Sequence, residues 1–203
     1  IGVPGYAGYL AFWVNQKIMD ETGIKSLDTK EDFKKYLEAA SKDGRYGYGG
    51  SWEKTYVFNE IAQFVNMFGG DYFDWTKPEN KEAIQFLYDM VKNNQTPIDQ
   101  IADKYEQMNP KANDGKYGCW FMWGLGTDYA KADMLGPDKI HMAMVPSMTS
   151  NGQRAIFTDS WSYVLNTASK NKDAAIKFLK YMASEGGMEA SYKAFDRYPA
   201  RKD

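Results

Sequence analysis

The sequence predicts an α/β fold with helices packed on a sheet, on three observations. Helical stripes alternate with short apolar runs of strand length, the loops between them are mostly short, and no repeat or low-complexity tract interrupts the order. The chain has 203 residues, 43% hydrophobic and 26% charged, which suffices for a real core and argues against disorder.

Taken in order, Leu10, Phe12 and Val14 alternate with other residues and predict a first strand, followed by a short helix with Gly23 at its C′ position. Thr29 with Asp32 three residues later resembles a capping box, and Phe33, Tyr36, Leu37 and Ala40 then mark one helix face. Residues 44–50 form a glycine- and tyrosine-rich loop or short strand. Val57, Ile61, Phe64, Val65 and Phe68 form the next stripe, closed by Gly69-Gly70. Thr76-Lys77-Pro78-Glu79 starts another helix, with Ile84, Leu87, Tyr88 and Val91 as its expected buried face. Residues 95–115 are polar and carry two prolines, so an irregular or weakly helical course is expected. Tyr117–Trp123 is a continuous apolar run, as in a strand covered on both faces. Further strands are predicted at 140–145 and 161–165. Two helices finish the chain, lined by Ala175, Phe178, Leu179 and Met182 and by Met188, Tyr192 and Phe195.

Much chemistry is excluded by inventory. His141 is the only histidine and sits in a predicted strand, so it reads as structural or exposed rather than catalytic. Cys119 is the only cysteine, which rules out an intrachain disulfide; its apolar surroundings read as a buried, inert thiol. The usual zinc ligand sets cannot be assembled. Gly124-Leu125-Gly126 lacks the third glycine of a dinucleotide fingerprint, and neither a Walker sequence nor a calcium-binding loop is present. Asp71 with Asp74 could in principle be an acid/base pair, but both read as turn residues after Gly69-Gly70. Asn94-Gln95-Thr96 matches a glycosylation acceptor, too short a motif to carry weight. A net charge of -2 gives no reason to expect nucleic acid or an anionic membrane. No stretch approaches the roughly 18 apolar residues of a membrane span. The opening Ile1-Gly2-Val3-Pro4 suggests a piece of something longer, with any targeting segment upstream. The inventory points to binding rather than catalysis, with no cofactor and no metal.

Several segments, in order, carry a resemblance. Val3-Pro4-Gly5-Tyr6 through Leu10-Ala11-Phe12-Trp13-Val14-Asn15-Gln16-Lys17 looks like a hinge strand leading to a "YNK" helix start, with Gln16 inserted between Asn15 and Lys17. Gly23-Ile24 and Leu27-Asp28-Thr29-Lys30-Glu31-Asp32-Phe33 is similar to "aGi…P-x-TW-x-EF" without its Pro and Trp. Asn66-Met67-Phe68-Gly69-Gly70-Asp71 resembles the "nGG" helix end, and Gly115-Lys116-Tyr117-Gly118-Cys119-Trp120 the "GkaAM" strand before a Trp/Gly loop. Ser169-Lys170-Asn171-Lys172-Asp173-Ala174-Ala175 through Phe178-Leu179 is close to "sknkeaAwkFl", the most specific single match; Tyr198-Pro199-Ala200-Arg201-Lys202-Asp203 looks like "lPark". Together they resemble the sugar-type extracellular solute-binding proteins of ABC importers, the class of maltose-binding protein.

The resemblance implies a periplasmic-binding-protein-like (type II) lobe with helices on a mixed sheet, in a protein of two hinged lobes that close on a sugar. On this basis residues 1–160 are the C-terminal lobe with its incoming hinge strand, and 161–203 a returning segment that would complete the N-terminal lobe. It also implies a monomeric, extracytoplasmic receptor, periplasmic or lipid-anchored at the cell surface. Its partners would be a mono- or oligosaccharide and a membrane permease.

The aromatic content, 16% of the chain, exceeds what packing needs and fits such a ligand. A pyranose presents a C–H-rich face that wants flat rings and an edge of hydroxyls that wants Asp, Asn, Gln or Arg. Trp52 follows a Gly-Gly-Ser loop just before a helix, with Tyr56 and Asn59 in that helix's first turns. Trp123 lies at a strand end, where α/β sheets place ligands. Asp159 and Trp161 enter a strand together and offer a carboxylate and an indole. Tyr6 and Arg201 complete the expected contacts; Trp13 and Trp120 are expected in the core. Two rivals stand: a receptor for a polyamine or other non-sugar solute, and a secreted glycosidase or carbohydrate-binding module. Scarce arginine argues against an opine-like anion.

Overall fold

The computed structural model describes residues 2–124, 132–195 and 198–200. The chain divides into two compact units, one of residues 10–157 and one joining 1–9 to 158–203. Strand β1 (Gly2–Asn15) belongs to both.

In the larger unit, Leu10 through Val14 are buried without a break. The alternation read from Leu10, Phe12 and Val14 is thus only half the pattern, because Ala11 and Trp13 are covered too. Burial on both faces requires a run with no polar position. Strand β3 (Tyr117–Trp123) pairs antiparallel along one edge of this run, Phe12 opposite Phe121. Strand β4 (Ile140–Ala143) pairs antiparallel along the other, Phe12 opposite Ala143. Strand β2 (Tyr46–Gly49) lies parallel to β3, Gly49 opposite Trp120. The order β2-β3-β1-β4 is a mixed sheet, as the resemblance implied.

Helices cover this sheet. In α1 (Gln16–Thr22) the Asn15 side chain caps the Ile18 N–H, and Gly23 ends the helix at φ 73°, a left-handed conformation that costs glycine nothing. In α2 (Lys30–Ala40) the Thr29 hydroxyl accepts from the Asp32 N–H at 3.1 Å and donates to its carboxylate at 2.7 Å. The buried face of α2 is Phe33, Tyr36, Leu37 and Ala40, as expected. Helix α4 (Pro78–Lys92) starts with Pro at its first turn, but its buried face is Asn80, Ala83, Phe86, Leu87 and Met90. Ile84 is 38% and Tyr88 60% exposed, so the expected face is rotated by one residue. Two contacts select the rotation. Phe86 meets the rings of Phe33, Phe64 and Phe68 at 5.6–6.1 Å between centroids. Asn80 holds the preceding turn, accepting from the Asp71 N–H at 3.0 Å and donating to the Asp71 carbonyl at 2.8 Å. Residues 95–115 are more regular than expected, with a 3-10 turn at Ile98–Ala102 and helix α5 (Tyr105–Asn113), which accommodates Pro110 in its interior.

In the smaller unit, β5 (Thr158–Val164) pairs antiparallel with the first half of β1, Tyr6 opposite Trp161, with a register shift between Pro4 and Tyr6. Helices α6 (Lys172–Met182) and α7 (Glu185–Phe195) follow. Their stripes exist but are mostly uncovered: α6 buries no residue, Met188 alone of the α7 stripe is buried, and Phe178, Tyr192 and Phe195 are exposed. A two-stranded ribbon offers too little surface to cover two amphipathic helices.

The rotated face of α4 gives a direct test in urea unfolding. Phe86→Ala is expected to cost about 3–5 kcal/mol, whereas Ile84→Ala and Tyr88→Ala are each expected to cost under about 1 kcal/mol.

Candidate functional site

Helix α3 (Val57–Met67) carries a polar stripe inside its buried surface: Asn59, Glu60 and Gln63 are all buried beside Ala62, Phe64 and Val65. Of the expected apolar stripe, Val57 and Ile61 are only half-buried. With Tyr56, the polar positions fall at i, i+3, i+4 and i+7, one face of the helix. That spacing is the signal which could have found Glu60 and Gln63, neither of which was expected.

Each member of the stripe holds something. The Tyr56 ring lies 4.8 Å from Tyr105, and Asn59 Nδ2 donates to the Tyr105 hydroxyl at 3.3 Å. Asn59 is therefore committed to a protein partner and largely buried, a less open polar group than expected. Glu60 Oε1 accepts from the Ser51 N–H at 2.7 Å, and Oε2 accepts from Trp52 Nε1 at 3.0 Å and from the Tyr48 hydroxyl. Burial pushes the Glu60 carboxyl up to about 7, while those three donors pull it back. Gln63 Nε2 donates to the Ala155 carbonyl at 2.9 Å, and Oε1 accepts from the Phe157 N–H at 2.6 Å. So fixed, Phe157 stands 6.3 Å from the Trp123 ring and 6.4 Å from Phe58.

Trp52 and Trp123 leave the sheet at the same end. Strands β2 and β3 are parallel with Gly49 opposite Trp120, and each tryptophan lies three residues beyond its member of that pair. Open α/β sheets bind ligands outside the carboxyl ends of such strands. Both rings are half-buried against the core, leaving an accessible part.

The smaller unit has a separate cluster. Trp161 is 59% exposed; its Nε1 donates to Asp159 Oδ2 at 2.8 Å, and its ring stacks on Tyr6 at 6.0 Å and 17° between planes. Asp159 thus orients the indole with one oxygen, while its Oδ1 is buried with no partner among the described residues. Arg201 lies outside the described residues.

The other chemistry-bearing residues take structural roles. Asp71 accepts from the Phe73 N–H at 3.0 Å and pairs with Lys77 at 3.6 Å. Asp74 accepts from the Thr76 N–H at 3.2 Å and hydroxyl at 2.6 Å, so both carboxylates are turn residues. The buried Cys119 thiol donates to the Gly47 carbonyl at 3.2 Å and is pushed up by burial. His141 is half-buried on β4 and pushed down by desolvation. A groove of about 480 Å³ lined by Trp75, Ile84 and Tyr88 and one of about 750 Å³ near Asp28 and Arg154 contain none of the residues selected from sequence. In the second, Arg154 is already paired with Asp28 at 2.7 Å and Lys30 with Glu82 at 3.5 Å.

Among known proteins, the chain is 25% identical over 202 residues to a probable amino-acid ABC transporter periplasmic-binding protein of Sinorhizobium fredii, covering 91% of this chain and 44% of that one. The maltose-bound MalE3 of T. maritima superposes with a TM-score of 0.82 at 20% identity, over 100% of this chain and 55% of the other. An ABC transporter solute-binding protein of Thermotoga lettingae bound with α-D-tagatose gives 0.80 at 20% identity, over 98% and 54%. The chain therefore spans about half the length of these proteins, and their likeness shows the fold. The bacterial extracellular solute-binding protein model matches residues 1–189, nearly the whole chain, and the protein belongs to that family of binding proteins, not enzymes.

Proposed function

We propose that this chain is the ligand-capturing part of an extracytoplasmic receptor that takes up a saccharide and delivers it to the permease of an ABC importer. The observation that carries the reading is Trp161: an indole more than half exposed, stacked parallel to Tyr6 and fixed at its edge by Asp159. A flat, rigid ring with a carboxylate at its rim matches a sugar's C–H face and hydroxyl edge. Trp52 and Trp123 offer comparable rings in the larger unit, with Tyr56 close to Trp52 in sequence, just before α3. Maltose and tagatose in the related structures support the same ligand class. The family supports placement outside the cytoplasm, which we read as the periplasm or a lipid-anchored position at the cell surface; among the described residues no helix is long and apolar enough to cross a membrane.

We further read residues 161–203 as part of a second lobe. Phe178 and Tyr181 on α6 and Tyr192 and Phe195 on α7 form exposed apolar surface of the kind a lobe interior covers.

The Sinorhizobium relative's name favours one second reading, a non-sugar solute. An amino acid needs a cation for its carboxylate and an anion for its ammonium. Arg154 is spent on Asp28 and the Val145 carbonyl, so the described candidates fit a neutral polyol better.

Calorimetric titration with mono- and oligosaccharides, amino acids and polyamines tests the reading. Saturable binding of a saccharide is expected, weakened at least about tenfold by Trp161→Ala, a loss of about 1.4 kcal/mol, with the melting temperature nearly unchanged because the ring is exposed. Saturation by an amino acid or polyamine alone would overturn it. Trp123→Ala is the less clean variant, since its half-buried ring also packs on the core.

A further inference from the structure

Trp52 does not simply project from its loop. The Gly50 N–H donates to Gln100 Oε1 at 2.7 Å, the Ser51 hydroxyl to the Asp103 carbonyl at 3.0 Å, and the Trp52 N–H to the Gln100 carbonyl at 3.1 Å. The loop also presses onto α3: a Cβ at Gly50 would stand 2.5 Å from Glu60 Oε2 and 2.7 Å from Trp52 Nε1, so only glycine lets the two meet. With the backbone fixed, the remaining freedom of the indole is its ring orientation, and the bond from Nε1 to Glu60 restrains that.

We propose that Glu60 is a positioning residue, its buried carboxylate holding the Trp52 ring in the orientation that serves as a plate for ligand, so that protonating Glu60 loosens the plate. The inference rests on reading Trp52 as a ligand contact.

The chemistry follows from the three donors. The Ser51 N–H and the Trp52 Nε1–H can only donate, whereas the Tyr48 hydroxyl can turn and accept. A proton on Oε1 would face the Ser51 amide hydrogen. A proton on Oε2 can be passed toward Tyr48, but it leaves a weaker acceptor for the indole. Protonation therefore falls on the Trp52 bond. Burial places the midpoint near neutrality, at about 7. Tyr48 and Tyr117 feel the Glu60 charge, and Tyr105 and Cys119 act in turn on Tyr48. Tyr48, Tyr117 and Cys119 are all pushed up by burial and stay neutral in that range. Asp103 is paired with Lys111.

The test is carried out on the whole 203-residue chain without ligand, labelled with ¹⁵N in the Trp indoles and ¹³C at the Glu carboxyls. The Trp52 Nε1–H resonance is identified by its loss in Trp52→Phe and followed from pH 5 to 9. It should titrate with the same midpoint as the Glu60 carboxyl carbon, near 7, and become independent of pH in Glu60→Gln while the other indole resonances stay in place. A Trp52 resonance that does not move, or that moves identically in Glu60→Gln, overturns the proposal. The wild-type titration alone decides the matter should the variant fail to fold.

Stability gives a second readout. Folding raises the Glu60 carboxyl from 4.5 to about 7, so its contribution is fully present below 4.5 and is lost as pH rises through about 7. Glu60→Gln should remove that decline.

Titration with maltose, laminaribiose and tagatose at pH 8 separates the two ideas. If Trp52→Ala leaves saccharide affinity unchanged, the reading of Trp52 as a contact fails. If Trp52→Ala weakens binding and Glu60→Gln does not, the positioning role fails. Weakening by both, with Glu60→Gln adding nothing in the Trp52→Ala background, is the expected result.

Discussion

Everything in the larger unit depends on one strand segment being buried on both faces and hydrogen-bonded on both edges. Residues Leu10 to Val14 of β1 have β3 along one edge and, along the other, β4 from Phe12 onward and the Phe157 carbonyl at Leu10, with no exposed position among them. A segment so placed must be apolar throughout, and the sheet it anchors must be covered by helices. The aromatic core built on it joins Phe12 and Phe121 of the strands to Phe33 of α2, Phe64 of α3 and Phe86 of α4. Once β3 is fixed beside β1 and β2 runs parallel to β3, both Trp52 and Trp123 emerge at the carboxyl ends of strands.

The polar residues of α3 follow a second rule, that polar groups brought inside must be paired. Helix α3 meets it by turning Asn59, Glu60 and Gln63 to separate tasks: Asn59 binds Tyr105, Glu60 holds Ser51 and Trp52, and Gln63 holds Ala155 and Phe157. Trp161 in the smaller unit is oriented in the same way by Asp159. In both units a carboxylate grips the polar edge of an indole, and this leaves the apolar ring for a partner. Rings restrained before binding lose less freedom on binding, which favours affinity without additional contacts.

Much of the fold was legible in the sequence. Thr29 and the stripe from Phe33 to Ala40 predicted α2, and the run from Tyr117 to Trp123 predicted β3, because each needs only local periodicity and a cap. Helix α4 was read one residue out of phase: Ile84 and Tyr88 make as good a stripe as Phe86 and Met90, and what favours the latter lies elsewhere in the chain, three phenylalanines around Phe86 and the Asp71 turn held by Asn80. The stripes of α6 and α7 were legible, but the neighbours needed to bury them were not. As candidates, Trp52, Tyr56, Asn59 and Trp123 are chosen from residue type and position, as are Tyr6, Asp159 and Trp161. Glu60 and Gln63 escaped because a search for apolar positions passes over polar ones, even where the polar ones share a helix face.

The central claim is that the clamped rings receive the C–H face of a sugar. Saturation-transfer NMR measures that contact most directly, by irradiating aromatic protons of the protein and recording which ligand protons are attenuated. The account predicts transfer to the ring C–H protons of a bound saccharide, strongest on one face and lost on adding an excess of a tighter-binding saccharide. Transfer to an amino acid or polyamine, with none to any saccharide, would contradict it.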